Sequence, residues 1–241
     1  AVNHFDNITI DLIYGTPQLS NENWKKNVET AISLNIPHLS CYALTVEPKT
    51  PLYKMIAQHK SEDIDPDKQS EQFLLLMDWL AAAGYEHYEI SNFAKLACPA
   101  GRQGWRSRHN SSYWSTGSRG KGKKYLGLGP SAHSFNGKER QWNIANNNAY
   151  IESVNKGIIP FEKETLTTVQ QLNEYIMTSL RTIEGVKFEV LSLEFEVSRT
   201  KILEKAKKFI QNNLTEEKND SLILTKEGKL LADGIASDLF F

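Results

Sequence analysis

Strand-like and helix-like runs alternate through the first part of the chain, and that rhythm limits the fold more than any other feature. "NITIDLIYGTP" sets Ile8, Ile10, Leu12, Ile13 and Tyr14 in a β-rich run that ends at Gly15 and Pro17, the pattern of a buried strand and a following loop. "SNENWKKNVETAISLNIP" opens on Ser20 or Asn21 as a helix cap, places Trp24, Val28, Ala31 and Ile32 on one face and stops before Pro37. "HLSCYAL" reads as a second strand. A loop carrying Pro48, Pro51 and Pro66 leads to the helix "DKQSEQFLLLMDWLAAAG", whose stripe is Phe73, Leu76, Met77 and Leu80, and "YEHYEIS" reads as a third strand.

This order predicts parallel βα units joined by right-handed crossovers. Chemistry in such sheets gathers at the carboxyl ends of the strands, here residues 11–17, 45–51 and 91–94. Only two units are complete, and the expectation is that further strands precede the sequence.

The later part changes rhythm. "TTVQQLNEYIMTSLRTIEG" and "RTKILEKAKKFIQNN" are amphipathic, with Leu172, Ile176 and Leu180 in one stripe and Ile202, Ala206, Phe209 and Ile210 in the other. A hairpin-like "LTEEKNDSLILT" and a helical "KEGKLLADGIASDLF" follow, which predicts a small winged-helix-like α+β domain. The expected division is residues 1–160 and 161–241. Glu216, Glu217 and Asp220 in the hairpin would repel phosphate, so packing rather than DNA binding is the expected job of this domain.

Charge is balanced overall, with 28 Lys and Arg against 29 Asp and Glu, and so no global field points to nucleic acid or a membrane surface. Locally it is not. Between Glu89 and Glu139 there is no acidic residue, while Lys95, Arg102, Arg106, Arg108, Arg119, Lys121, Lys123, Lys124 and Lys138 are basic. Such a segment favours an anion, or else forms a solvated surface loop, above all in "STGSRGKGKK". No run reaches the roughly 18 apolar residues of a membrane helix. Cys41 and Cys98 make neither a disulfide framework nor a metal-thiolate site. A cytoplasmic protein, not integral to a membrane, is expected.

Several residues could carry chemistry. Asp11 lies in an apolar strand and either reaches a ligand at its end or caps backbone nearby. Thr45 and Glu47 follow the second strand in a proline-stiffened loop, and Glu89 and Asn92 sit at the end of the third. "KYLGLGPSAHSF" presents Gly127 and Gly129 beside Ser131 and His133, a loop able to close on a small ligand. "SRHNSSYW" packs Arg108, His109, Asn110, three serines, Tyr113 and Trp114 into one presumed loop. His109 and His133 each suit an acid, a base, an axial ligand to iron or a structural role.

Read in order, "IDLIYGTP", "YALTVEPKTPL", "YEISNFAK", "SRHNSSYW", "YLGLGPSAHS", "RQWN" and "LADGIASDLF" resemble the second half of a HemW-type protein, in the radical S-adenosylmethionine (SAM) family related to oxygen-independent coproporphyrinogen III oxidase. The resemblance implies an α/β fold, the C-terminal part of a partial (β/α) barrel followed by the winged-helix-like domain. It implies heme as cargo for an unspecified acceptor protein, with SAM and a 4Fe-4S cluster in the intact protein. By the same resemblance His109, Asn110, Tyr113 and Trp114 match the HN-x-x-Y-W pattern of the HemW branch. His109 would then ligate iron, Arg106 and Arg108 would pair the propionates, and the aromatics would stack on the ring. Asp11, Thr45 and His133 match SAM-contacting positions.

The family's Cys-x-x-x-Cys-x-x-Cys motif is missing, so no cluster ligand is expected in this chain, which is read as a C-terminal fragment unable to cleave SAM alone. The segments around 96–106 and 115–124 are longer than the family's usual loop. Two other functions stay open, oxidative decarboxylation of coproporphyrinogen III by the intact protein and nucleic-acid binding through the basic loop and wing.

Overall fold

The structure, a computed structural model, describes residues 4–96, 104–114 and 124–241. Two compact units, Ala1–Arg108 and His109–Phe241, divide the chain.

In the first unit, β1 (Thr9–Tyr14) leads through α1 (Asn21–Ser33) to β2 (His38–Ala43), and the two strands pair in parallel from Thr9 opposite His38 to Tyr14 opposite Ala43. The Ser20 side chain caps α1 by accepting from the Asn23 N–H at 3.2 Å. One stretch read as loop is helical instead, and the helix read after it starts one residue earlier, on Pro66. α2 (Pro51–Ala57) starts on Pro51 with Thr50 as its cap, and α3 (Pro66–Ala82) starts on Pro66 with Asp65 as its cap. Proline's fixed φ and missing N–H suit the first helical position, so these prolines, read as part of a loop, open helices.

Between α3 and the second unit lie β3 (Tyr85–Glu89) and β4 (Asn92–Lys95), and the sheet order is β1-β2-β4-β3. The expectation of purely parallel units is therefore corrected. β3 runs in the direction of β1 and β2, but β4 turns back and pairs antiparallel with both β2 and β3. Only Ile90 and Ser91 separate the two strands, and the run read as a third strand gives no cue to the strand that turns back just after it.

Trp24, at 0% exposure, anchors the core with Val28, Ile36, Leu39, Leu76, Leu80 and Phe93. Its indole N–H donates to the Gln72 carbonyl at 3.2 Å. The buried Gln72 side chain accepts from the Gly15 N–H at 2.8 Å and donates to the Leu19 carbonyl at 2.9 Å, which fastens the loop after β1 to α3. Gly15 is required there, because its φ is +68° and a Cβ would lie 2.2 Å from Gln69 Cγ. β1 itself is less buried than its sequence suggests. Helices α1 and α3 cover one face, while Thr9, Asp11 and Ile13 on the other are exposed and only Tyr14 is buried.

The chain passes into the second unit through α4 (Arg108–Trp114), so the stretch presumed to be a loop is a short helix. β5 (His133–Phe135), β6 (Glu139–Asn143) and, after α5 (Asn147–Asn155), β7 (Phe161–Thr165) form an antiparallel meander. α6 (Thr168–Leu180) follows with a capping box between Thr167 and Gln170. β8 (Val186–Lys187), α7 (Phe188–Phe195), α8 (Arg199–Gln211), β9 (Thr215–Lys218) and β10 (Ser221–Leu224) come next, then a 3₁₀ turn (Gly228–Leu231) and α9 (Ala232–Leu239). The winged expectation holds, with helices packed beside a β8-β10-β9 sheet. Leu172, Ile176, Leu180, Ile202, Ala206, Leu222, Ile235 and Leu239 are buried, so the first predicted stripe faces inward, while in the second Phe209 and Ile210 are only half-buried.

The wing turns on Asn219 and Asp220, at φ +49° and +57°. The Asp220 carbonyl accepts from the Phe188 N–H at 3.1 Å, and its carboxylate joins Glu217 in pairing with Arg199, whose guanidinium lies 4.7 Å from the Phe188 ring centroid. Among the described residues no helix is long and apolar enough to cross a membrane.

Replacing Trp24 by Ala should cost about 3–5 kcal/mol, the range for emptying a large buried aromatic site. Urea denaturation followed by far-UV circular dichroism checks this, and a loss under about 1 kcal/mol would contradict the packing described.

Candidate functional site

Side chains in a strand alternate between faces, so the β1–β2–β4 register sorts the first sheet into two sets. Leu12, Leu39 and Cys41 look toward the helices. Thr9, Asp11 and Ile13, then His38, Ser40 and Tyr42, then Asn92 and Ala94 share the opposite face. That face is polar although its centre is buried, with His38, Ser40, Asn92 and Glu89 all below 4% exposure.

Burial of such groups requires partners, and they have them. The Ser40 hydroxyl donates to Asn92 Oδ1 at 3.0 Å, and Glu89 Oε2 accepts from both Asn92 Nδ2 and the Ser91 N–H. His38 links a second chain. The Ser107 N–H donates to the Tyr88 hydroxyl at 3.2 Å, and that hydroxyl meets His38 Nε2 at 2.8 Å. Thr9 Oγ1 lies 2.6 Å from His38 Nδ1. Burial pushes the His38 imidazole down to about 4, with the Asp11 carboxylate opposing the shift. Sequence reading passed over His38 and Tyr88, since a histidine opening one strand and a tyrosine near the end of another give no spacing cue.

The predicted residues fall in several places. Asp11 is exposed in mid-strand opposite Ser40, not at the strand's end, and Thr45 is exposed just beyond β2. Glu89 and Asn92 are in the buried network, while Glu47 is on the surface. Arg106, read as a propionate partner, is paired with Glu86 at 2.9 Å and lies 5.2 Å from the Tyr88 ring centroid. Arg108 and His109 are exposed at the start of α4, with Asn110 half-buried beside them. Positions 109 and 113, and 110 and 114, are each one helical turn apart. His133 opens β5 in the second unit, exposed and opposite Trp142. Cys98, Arg102, Arg119, Lys121 and Lys123 lie outside the described residues, with most of "STGSRGKGKK".

Residues 166–231 match the family described as the HemN C-terminal domain. The chain is 29% identical over 233 residues to "Heme chaperone HemW" of Bacillus subtilis, covering 96% of this chain and 58% of that protein. It is 30% identical over 236 residues to the protein of the same name from Mycobacterium tuberculosis, covering 98% of this chain and 55% of that one. Over the part it spans, this chain is similar to HemW proteins. Among solved structures it matches the Escherichia coli coproporphyrinogen III oxidase (HemN), described as a radical SAM enzyme, with a TM-score of 0.75 at 19% identity, over 99% of this chain and 57% of the other. That likeness shows the fold, an α/β architecture shared along the whole match. The chain spans a little over half the length of the HemW proteins it matches.

This chain does not itself fit an iron-sulfur cluster. It has two cysteines, too few for the three thiolates of the family motif, and burial pushes the Cys41 thiol far above the range in which it would ionise.

The His38 chain predicts a pH dependence. Its folded pKa lies below the ordinary value of about 6.5, so its contribution is fully present above that pH and is lost as pH falls towards 4. At about 1.4 kcal/mol per pKa unit the loss is at most about 3.5 kcal/mol. Urea midpoints at neutral and acid pH should therefore diverge less in His38→Gln than in the unaltered chain, and equal divergence would remove His38 as the cause.

Proposed function

We propose that this chain is the heme-handling part of a HemW-type radical SAM protein, holding heme for transfer to an acceptor protein. The observation that carries the reading is His109, exposed beside the equally exposed Arg108 at the head of α4, within a stretch free of carboxylates from 90 to 138. Neutral imidazole at His109 would donate its lone pair to heme iron, and Arg108 would pair a propionate without a competing acid nearby in sequence. Arg106 serves differently in this reading. Held by Glu86 and stacked on Tyr88, it fixes the backbone from which α4 begins, together with the Ser107 N–H bond to Tyr88. Asn110, Tyr113 and Trp114 complete the heme contact in this reading. An exposed ligand suits a carrier, since cargo must leave by ligand exchange with an acceptor.

Asp11 and Thr45 would contact SAM, whose chemistry when bound beside a reduced cluster is to furnish a 5′-deoxyadenosyl radical. Within this chain their part is limited to binding it. The second reading, coproporphyrinogen III oxidation, is favoured by the HemN-like fold. It needs cluster thiolates beyond the two cysteines here. Nucleic-acid binding is disfavoured by the wing, where Glu216, Glu217 and Asp220 are exposed and Arg199 is engaged by two of them.

Titration of the chain with hemin, followed by Soret absorbance, should saturate. His109→Ala should weaken binding by about tenfold or shift the band, a loss equivalent to roughly 1.4 kcal/mol. No saturable binding by the folded chain would overturn the heme reading, and an unaltered titration in the variant would remove His109 as the ligand.

A further inference from the structure

We infer that Gln69 on α3 is the positioning residue of the strand-end ligand site, setting Thr45 in place from the helix side of the first sheet; the inference rests on the reading of Asp11 and Thr45 as SAM contacts. Two glutamines stand out on the inward side of α3. Gln72 is fully buried beside Phe73 and Leu76, and Gln69, one turn earlier, is half-buried. An amide in such a place is tolerated only where other polar groups meet it, and both of these find backbone partners at the carboxyl ends of the first two strands.

Gln72 serves the loop after β1, accepting from the Gly15 N–H and donating to the Leu19 carbonyl. Gln69 serves the loop after β2. Its Nε2 donates to the Leu44 carbonyl at 2.9 Å, and the Leu44 N–H donates to the Tyr14 carbonyl at 2.9 Å. Leu44 is thus fixed at both backbone groups, to α3 through one and to the last residue of β1 through the other. The Gln69 side chain reaches it across Gly15, in the room that the missing Cβ leaves. Thr45 comes next and is exposed, and among the described residues no hydrogen bond engages its hydroxyl, so its place depends on the backbone of Leu44. Further on, the Glu47 carbonyl accepts from the Thr50 hydroxyl at 2.7 Å, which holds the other end of this short loop.

The open face of the sheet fits the chemistry of the ligand. Asp11 offers an exposed carboxylate, and Ile13 and Tyr42, paired across β1 and β2 two residues further along, are 52% and 41% exposed. A carboxylate beside aliphatic and aromatic surface suits a cationic sulfonium joined to a flat base. Asp11 belongs to the strand itself, whereas Thr45 lies beyond the end of one. Only the second of these contacts therefore needs a support from outside the sheet, and Gln69 supplies it.

Calorimetric titration of the whole chain with S-adenosylmethionine tests this. Gln69→Met keeps the length of the side chain over Gly15 but has no N–H to give, and it should weaken binding by about fivefold to tenfold. Added to Thr45→Val, the same change should cost no more than about a further twofold, because the glutamine acts through Thr45. Added to Asp11→Asn, it should cost its full factor. Equal losses in the two pairings, as a merely structural glutamine would give, or an unchanged affinity in Gln69→Met, overturn the inference while the reading of the SAM contacts stands. Circular dichroism confirms that each variant is folded, and Gln69→Glu, of the same shape and without the N–H, replaces Gln69→Met if that variant is not. If the unaltered chain binds no S-adenosylmethionine, or Thr45→Val binds it as tightly as the unaltered chain, the reading of these contacts falls and the inference with it.

Discussion

A buried carboxylate at the β3–β4 reversal is the constraint from which the first unit follows. Glu89 accepts hydrogen bonds from the Ser91 N–H and the Asn92 amide, and Asn92 in turn accepts from Ser40 on β2. A charge in such a place is tolerable only when its lone pairs are filled. The filled arrangement requires the chain to turn within two residues and requires β4 to lie against β2. From that placement follow the bond between the Lys95 N–H and the Pro37 carbonyl and the one between the Trp105 N–H and the Lys95 carbonyl, which bring the chain back along the sheet. It also follows that Glu86 and Tyr88 on β3 meet residues 106 and 107, the last two before α4.

That succession separates two arginines alike in sequence. Arg106 and Arg108 flank the same serine in an acid-free segment, and both look like anion ligands when only local charge is weighed. Glu86, 20 residues earlier, becomes the partner of one through the fold and leaves the other exposed. A guanidinium with two nitrogens on one carboxylate oxygen and its plane on a ring is an anchor, and removing it would expose a half-buried acid rather than merely weaken a ligand.

Much of the architecture was legible because it rests on local signals. The parallel β1–β2 pair, the stripes of α1, α3, α6 and α8, and the wing all follow from periodicity and caps. Pro51 misled because proline also marks loops, and only the preceding Thr50, its cap, tells that a helix opens there. β4 and the β5-β6-β7 meander depend on pairing between short, mostly polar strands, for which the chain carries no periodic cue. Of the candidate site, residue types were readable and partners were not. His38 and Tyr88 meet across 50 residues, and the burial that lowers the imidazole's basicity belongs to the assembled sheet alone.

The wing turn shows how a surface feature can be fixed in length. Hairpin tips are ordinarily where chains accept insertions. Here Asn219 and Asp220 occupy both left-handed positions of a two-residue turn, and Asp220 also receives the Phe188 N–H and faces Arg199 at the start of α8. One added residue would shift β10 against β9 and, through β8, against α7 at the same time. Length variation in this domain is therefore better accommodated between its helices than at its most exposed tip.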